Sequence, residues 1–116
     1  MDKSIISSSV NYTYDELRKK VLGTAKFFHK QNISAGDRVG IIGQNDIDFV
    51  INVLALWQIF AVPVLLNNRL TEIEIEEQLL LANCSSLLVQ KEFYEKVKSL
   101  SIKNIKYPFI ADHDNS

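Results

Sequence analysis

Apolar and polar positions along the chain change period several times. Val39–Ile42 is a short continuous apolar run, which marks a strand covered on both faces. From Ile47 to Phe60 only Asp48, Asn52 and Gln58 are polar, which predicts a helix needing cover on most of its surface, opened by Asn45 and Asp46. Val62–Leu66 is a second apolar run, so the stretch reads as a βαβ unit around which the rest is organised. Upstream, Thr13 followed by Glu16 forms a capping box. Leu17, Val21, Ala25 and Phe28 recur at helical spacing behind it, and Asn32 supplies a left-handed stop. Downstream, Thr71 and Glu74 repeat the box ahead of Ile75, Leu79 and Ala82, and Asn83 ends that helix. The alternation Glu-Ile-Glu-Ile-Glu alone reads as a strand, but the cap and the spacing outweigh it. Ser86–Gln90 predicts a third strand, Lys91–Leu100 a short helix with Phe93, Val97 and Leu100 inward, and Pro108–Ala111 a fourth strand.

The order α-β-α-β-α-β-α-β predicts an α/β fold of layered βαβ units with a mainly parallel sheet, one segment over residues 1–116 with its core in 12–111. Pro63 removes a ladder donor and belongs at a strand start or an unpaired position. In such a fold the ligand crevice lies at the strand C-terminal ends, here Gly43–Asn45, Asn67–Arg69, Gln90–Lys91 and Asp112–His113.

Candidate chemistry is sparse. Gly43-Gln44-Asn45-Asp46 is a strand-to-helix junction of the kind that can hold phosphate. However, Gly36, Gly40 and Gly43 fit no dinucleotide fingerprint, Gly40 lies inside the strand, and no P-loop motif is present. Asn67, Asn68 and Arg69 form the best polar cluster at a strand end and read as turn formers beside a solvated Arg. Glu72, Glu74, Glu76 and Glu77 point around their helix with no His nearby, which argues against a metal site. His29 near the end of a Lys-rich helix reads as solvated, and His113 between Asp112 and Asp114 is weak evidence for a metal. No serine sits in a nucleophile elbow, and Cys84 reads as a small buried hydrophobe without an activating cation nearby in sequence. A receiver-like nucleotide domain would need paired acids at the first strand end, and they are missing.

Composition narrows the class without naming it. The 116 residues are 47% apolar and 23% charged with a net charge of −1, so nothing marks a nucleic-acid or membrane partner. A lone cysteine makes no internal disulfide, the N-terminus lacks a signal h-region, and the apolar helix is too short to span a bilayer; the expectation is a cytoplasmic protein. From the residues alone this is an α/β module with no self-sufficient active site.

Tyr12-Thr13-Tyr14-Asp15-Glu16-Leu17, then Gly36-Asp37-Arg38-Val39, then Asn45 before the apolar helix, then Asn67-Asn68-Arg69-Leu70-Thr71 before the Glu-rich helix occur in an order that resembles the N-terminal region of AMP-binding, adenylate-forming acyl-CoA synthetases. Two departures stand out. The chain has Phe60-Ala61 where that family usually has a glycine, and Leu65-Leu66 where a proline is common. Val64-Leu65-Leu66-Asn67 is most similar to the 2-succinylbenzoate–CoA ligases of menaquinone synthesis. The resemblance implies the N-terminal structural segment of an ATP-dependent, AMP-forming carboxylate–CoA ligase that makes an acyl-adenylate and then a thioester. ATP, Mg and CoA belong to the parent enzyme, and the rest of that ligase is the implied partner. The family's phosphate loop, ribose-binding Asp and catalytic Lys have no counterpart in these residues. The resemblance therefore assigns no catalytic, cofactor-binding or metal residue here, and the segment alone is expected to be inactive. The alternative is a stand-alone, non-catalytic α/β binding or assembly module. In either case exposed apolar surface or a sheet edge offers a route to a homodimer.

Overall fold

The computed structural model describes residues 5–6, 11–44, 46–97 and 106–109. The elements are β1 (Ile5–Ile6), β2 (Asn11–Tyr12), α1 (Tyr14–Lys30), β3 (Arg38–Ile42), α2 (Ile47–Gln58), β4 (Val62–Leu66), α3 (Glu72–Leu81), β5 (Ser86–Val89), a 3-10 turn at Lys91–Phe93, α4 (Tyr94–Val97) and β6 (Lys106–Phe109). β1 and β2 pair antiparallel. The other four strands form one parallel sheet in the order β4-β3-β5-β6.

Side chains alternate across β3 and divide the core in two. Val39 and Ile41 join Ala25 and Phe28 of α1 and Ala55 and Leu56 of α2 on one face. Ile42 joins Ile75 and Leu79 of α3 and Leu87 and Val89 of β5 on the other. The result is an α/β/α sandwich with helices on both faces of the sheet, in agreement with the expected α/β fold of layered βαβ units with a mainly parallel sheet. Gly40 faces α3, where an added Cβ would lie 2.6 Å from Leu79 Cδ2, so its missing side chain lets the helix sit close.

Both capping boxes form. The Thr13 and Thr71 hydroxyls accept from the amides of Glu16 and Glu74, whose carboxylates accept in return from the threonine amides at 3.0 and 2.9 Å. These bonds hold both glutamates below the usual carboxylate range, first through the threonine backbone N–H. Asn32 (φ 66°) and Asn83 (φ 54°) stop their helices in the left-handed region. In each case the next amide reaches back five residues, Ile33 N–H to Phe28 O at 3.2 Å and Cys84 N–H to Leu79 O at 3.0 Å. α2 ends in the same motif, with Ala61 N–H on Leu56 O at 2.9 Å, but its left-handed residue is Phe60 (φ 63°), 77% exposed.

Of the two residues expected to open α2, Asp46 is its cap, its carboxylate accepting from Phe49 N–H, and Asn45 lies outside the described residues. Two expectations shift. The stretch from Lys91 opens as a 3-10 turn and becomes α-helical over Tyr94–Val97, with Val97 buried, Phe93 half-buried and residues 98–100, Leu100 among them, outside the described residues. β6 begins at Lys106, two residues before Pro108, since pairing with β5 requires it to start opposite Ser86; Ala111 lies outside the described residues. The two prolines sit in the two outermost described strands, β4 and β6. Val62 N–H bonds toward β3, on Asp37 O at 2.7 Å, so the nitrogen of Pro63 faces the side of β4 that has no partner strand among the described residues, where no donor is needed.

Candidate functional site

Chain order reverses between β3 and β5: β3 is followed on one side by β4 and on the other by β5. A doubly wound sheet takes its ligand at the strand C-terminal ends beside such a reversal. Gly43, Gln44 and Asp46 leave β3 there, and Gln90 and Glu92 leave β5.

Gln90 fills this crevice. Its Oε1 accepts from Gln44 N–H at 2.7 Å, and its Nε2 donates to Asp46 Oδ1 at 2.9 Å. The same Asp46 oxygen accepts from Phe49 N–H at 3.0 Å. Gln44 Nε2 donates to Glu92 Oε2 at 3.0 Å. A Cβ on Gly43 would meet Gln90 Cδ at 2.6 Å, so glycine is what admits the glutamine side chain. The α2 N-terminus, where a phosphate could otherwise gather backbone N–H groups, already holds a carboxylate. These residues do not fit a nucleotide phosphate or its magnesium ion: a carboxylate occupies the anion position and an amide the space. Among the described residues no group of three His, Cys, Asp or Glu side chains could hold a metal, and the four glutamates of α3 do not converge.

The second strand end behaves differently. Asn67 Oδ1 accepts from Arg69 N–H at 2.9 Å, a local Asx turn. Asn68 Nδ2 donates to Gly43 O at 3.0 Å, and Lys96 Nζ donates to Asn68 O at 2.9 Å. A shallow groove of ≈ 470 Å³ lies between this turn and Gly43, lined also by Phe49, Leu65 and Leu66. The structure thus brings together three of the four anticipated strand ends, and Asp112 and His113 lie outside the described residues.

The remaining candidates read as the sequence indicated. His29 is exposed near the end of α1. Cys84 is buried, and burial pushes its thiol above the usual range, only partly opposed by the Arg38 cation that the fold brings near and that donates to Ala82 O at 3.0 Å. The long-range ties made by Gln90, Glu92 and Lys96 were not visible in the sequence. A strand-terminal glutamine, both donor and acceptor, was the only signal for the first. Among the described residues no helix is long and apolar enough to cross a membrane.

Comparison with known proteins gives this architecture its relatives. The family model described as "AMP-binding enzyme" matches residues 1–114. A 2-succinylbenzoate–CoA ligase of Listeria innocua is 30% identical over 98 residues, 84% of this chain and 21% of that protein. A 3-oxocholest-4-en-26-oate–CoA ligase of Rhodococcus rhodochrous is 25% identical over 97 residues, covering 84% and 18%. The crystal structure of a long-chain-fatty-acid–CoA ligase from Archaeoglobus fulgidus superposes with a TM-score of 0.84 at 23% identity, over 95% of this chain and 24% of that one, and so shares the fold. The chain spans about a fifth of the length of the curated relatives it matches. With the family model matched over nearly its whole length, and the α/β sandwich in agreement, the chain belongs to the AMP-binding enzyme family.

Proposed function

We propose that this chain is the α/β scaffolding segment of an ATP-dependent, AMP-forming carboxylate–CoA ligase, with 2-succinylbenzoate the first acid to test. The observation that carries the reading is the closed crevice: Gln90, Gln44 and Asp46 satisfy one another where the sheet would otherwise take a ligand. In such a ligase a carboxylate attacks the ATP α-phosphate to give an acyl-adenylate and pyrophosphate, and the CoA thiol then displaces AMP. This segment's contribution is rigidity, through a two-faced core behind the lobe that carries the reacting groups. The remainder of the ligase is then its partner and the cytoplasm its compartment. Family membership and the CoA-ligase relatives support the reaction class. The menaquinone assignment rests on the Listeria similarity and on Val64–Asn67.

The test compares the 116-residue chain with an intact ligase carrying this segment, on 2-succinylbenzoate and a panel of other carboxylates. Carboxylate-dependent AMP release with thioester formation by the intact enzyme, and none by the chain alone, is the expected result. Turnover by the chain alone, or an intact enzyme silent on every acid, would overturn the proposal.

A further inference from the structure

Two exposed stripes, one on each face of the sandwich, share a pattern with opposite charge. On α1, Tyr14, Arg18 and Leu22 follow each other at i, i+4 and i+8, with Tyr14 63% and Leu22 37% exposed. On α3, Ile73, Glu77 and Leu81 have the same spacing, with Ile73 69% and Leu81 79% exposed. Each stripe is apolar, charged, apolar along about 12 Å of helix, from a rise of about 1.5 Å per residue. The central charge is a cation on one and an anion on the other. The surroundings extend the contrast: α1 also carries Lys19, Lys20, Lys26 and Lys30 against Asp15 and Glu16 in its first turn, and α3 carries Glu72, Glu74 and Glu76 with no Lys or Arg. The α1 stripe is recessed, lining with Trp57 of α2 a groove of ≈ 410 Å³, whereas the α3 stripe stands on a single helix.

We propose that the α3 stripe of one copy of this chain docks in the α1–α2 groove of another, with Glu77 against Arg18 and Leu81 and Ile73 against Leu22 and Tyr14. The occupant is a second copy because the groove's apolar spacing and its charge are both matched, in mirror sign, by a surface the chain itself exposes. The contact is heterologous: α1 packs on one face of the sheet and α3 on the other, so each copy offers both halves at once. Association therefore builds rings or open chains instead of stopping at a two-fold dimer. It is distinct from pairing at the β4 edge and does not depend on the ligase reading.

Sedimentation velocity of the 116-residue chain across a concentration series tests it. The average mass should climb past two copies, and raised salt should shift the rise to higher concentration. Trp57, the only tryptophan, should shift to shorter emission wavelength as the groove fills. Arg18→Glu and Glu77→Arg should each weaken association by about tenfold or more, because each places like charges together. An equimolar mixture of the two should recover it, since each groove then meets a knob of opposite charge. Leu81→Ser provides a second route on the exposed face if either reversal fails to fold by circular dichroism. The proposal is overturned by a chain that stays monomeric, by a closed dimer indifferent to these substitutions, or by folded variants whose mixture does not reassemble.

Discussion

The two ends of the parallel sheet are closed by different means. At the N-terminal ends of the strands, α1, α2 and α3 each return through a backbone turn with a left-handed residue, Asn32, Phe60 or Asn83, and the bond that closes each turn spans five residues. At the C-terminal ends closure is by side chains from distant parts of the chain: Gln90 reaches Gln44 and Asp46, Asn68 reaches Gly43, and Lys96 reaches Asn68. The turns at the first end close locally and are then tied to one another by Gly36 N–H on Phe60 O and Arg38 on Ala82 O, whereas the side-chain closure of the other end forms only once the sheet has assembled. The end where an α/β sheet commonly takes its ligand is therefore the one whose polar groups are already committed to each other.

This contrast makes graded predictions. Gln90→Ala should have the largest effect, lowering stability by about 2 kcal/mol, since one truncation removes the acceptor of Gln44 N–H and a donor to the Asp46 carboxylate. Urea unfolding should show a lower midpoint at unchanged slope; a change below about 0.5 kcal/mol, the size of an ordinary surface substitution, would mean the crevice is not held by this side chain.

Phe60→Gly should stabilise by about 1 kcal/mol. The left-handed conformation is costly for a residue with a Cβ, and an exposed ring gives up little burial when removed. Thermal midpoints of the wild type, Phe60→Asn and Phe60→Gly should rise in that order.

Thr71→Ala should cost about 1 kcal/mol as the α3 cap is lost. The paired glutamates add a pH signature. Their folded-state pKa values are depressed, so their contribution is complete above the ordinary glutamate range and is lost as the pH falls below it. The difference in thermal midpoint between wild type and Glu74→Gln should accordingly shrink on acidification; a difference constant with pH would show that the charge plays no part. Asn67→Ala should have the smallest effect, within about 0.5 kcal/mol, because it removes one exposed local bond.

Legibility in the sequence follows the same divide. Thr13 with Glu16, Thr71 with Glu74, and the stops at Asn32 and Asn83 were readable because each motif is completed within a few residues. The apolar run 62–66 gave a strand but not its place: Val62 and Leu65 are exposed on β4, which is outermost among the described strands, and strand order is set by packing among segments far apart in the chain. For the same reason the 47–60 stretch does not reveal that Val50 and Trp57 stay exposed. The closure of the crevice was least legible. Gln90 lies 46 residues from Gln44, and nothing in the spacing says that its amide turns inward to meet Gly43.

The most direct test of the closed crevice is isothermal titration of the 116-residue chain with Mg·ATP and, in parallel, with a stable acyl-adenylate analogue. The account predicts no saturable heat with either ligand at millimolar concentration. Saturable micromolar binding, weakened by substitution at Gly43, Asp46 or Asn68, would contradict it and make the strand ends a nucleotide site in their own right.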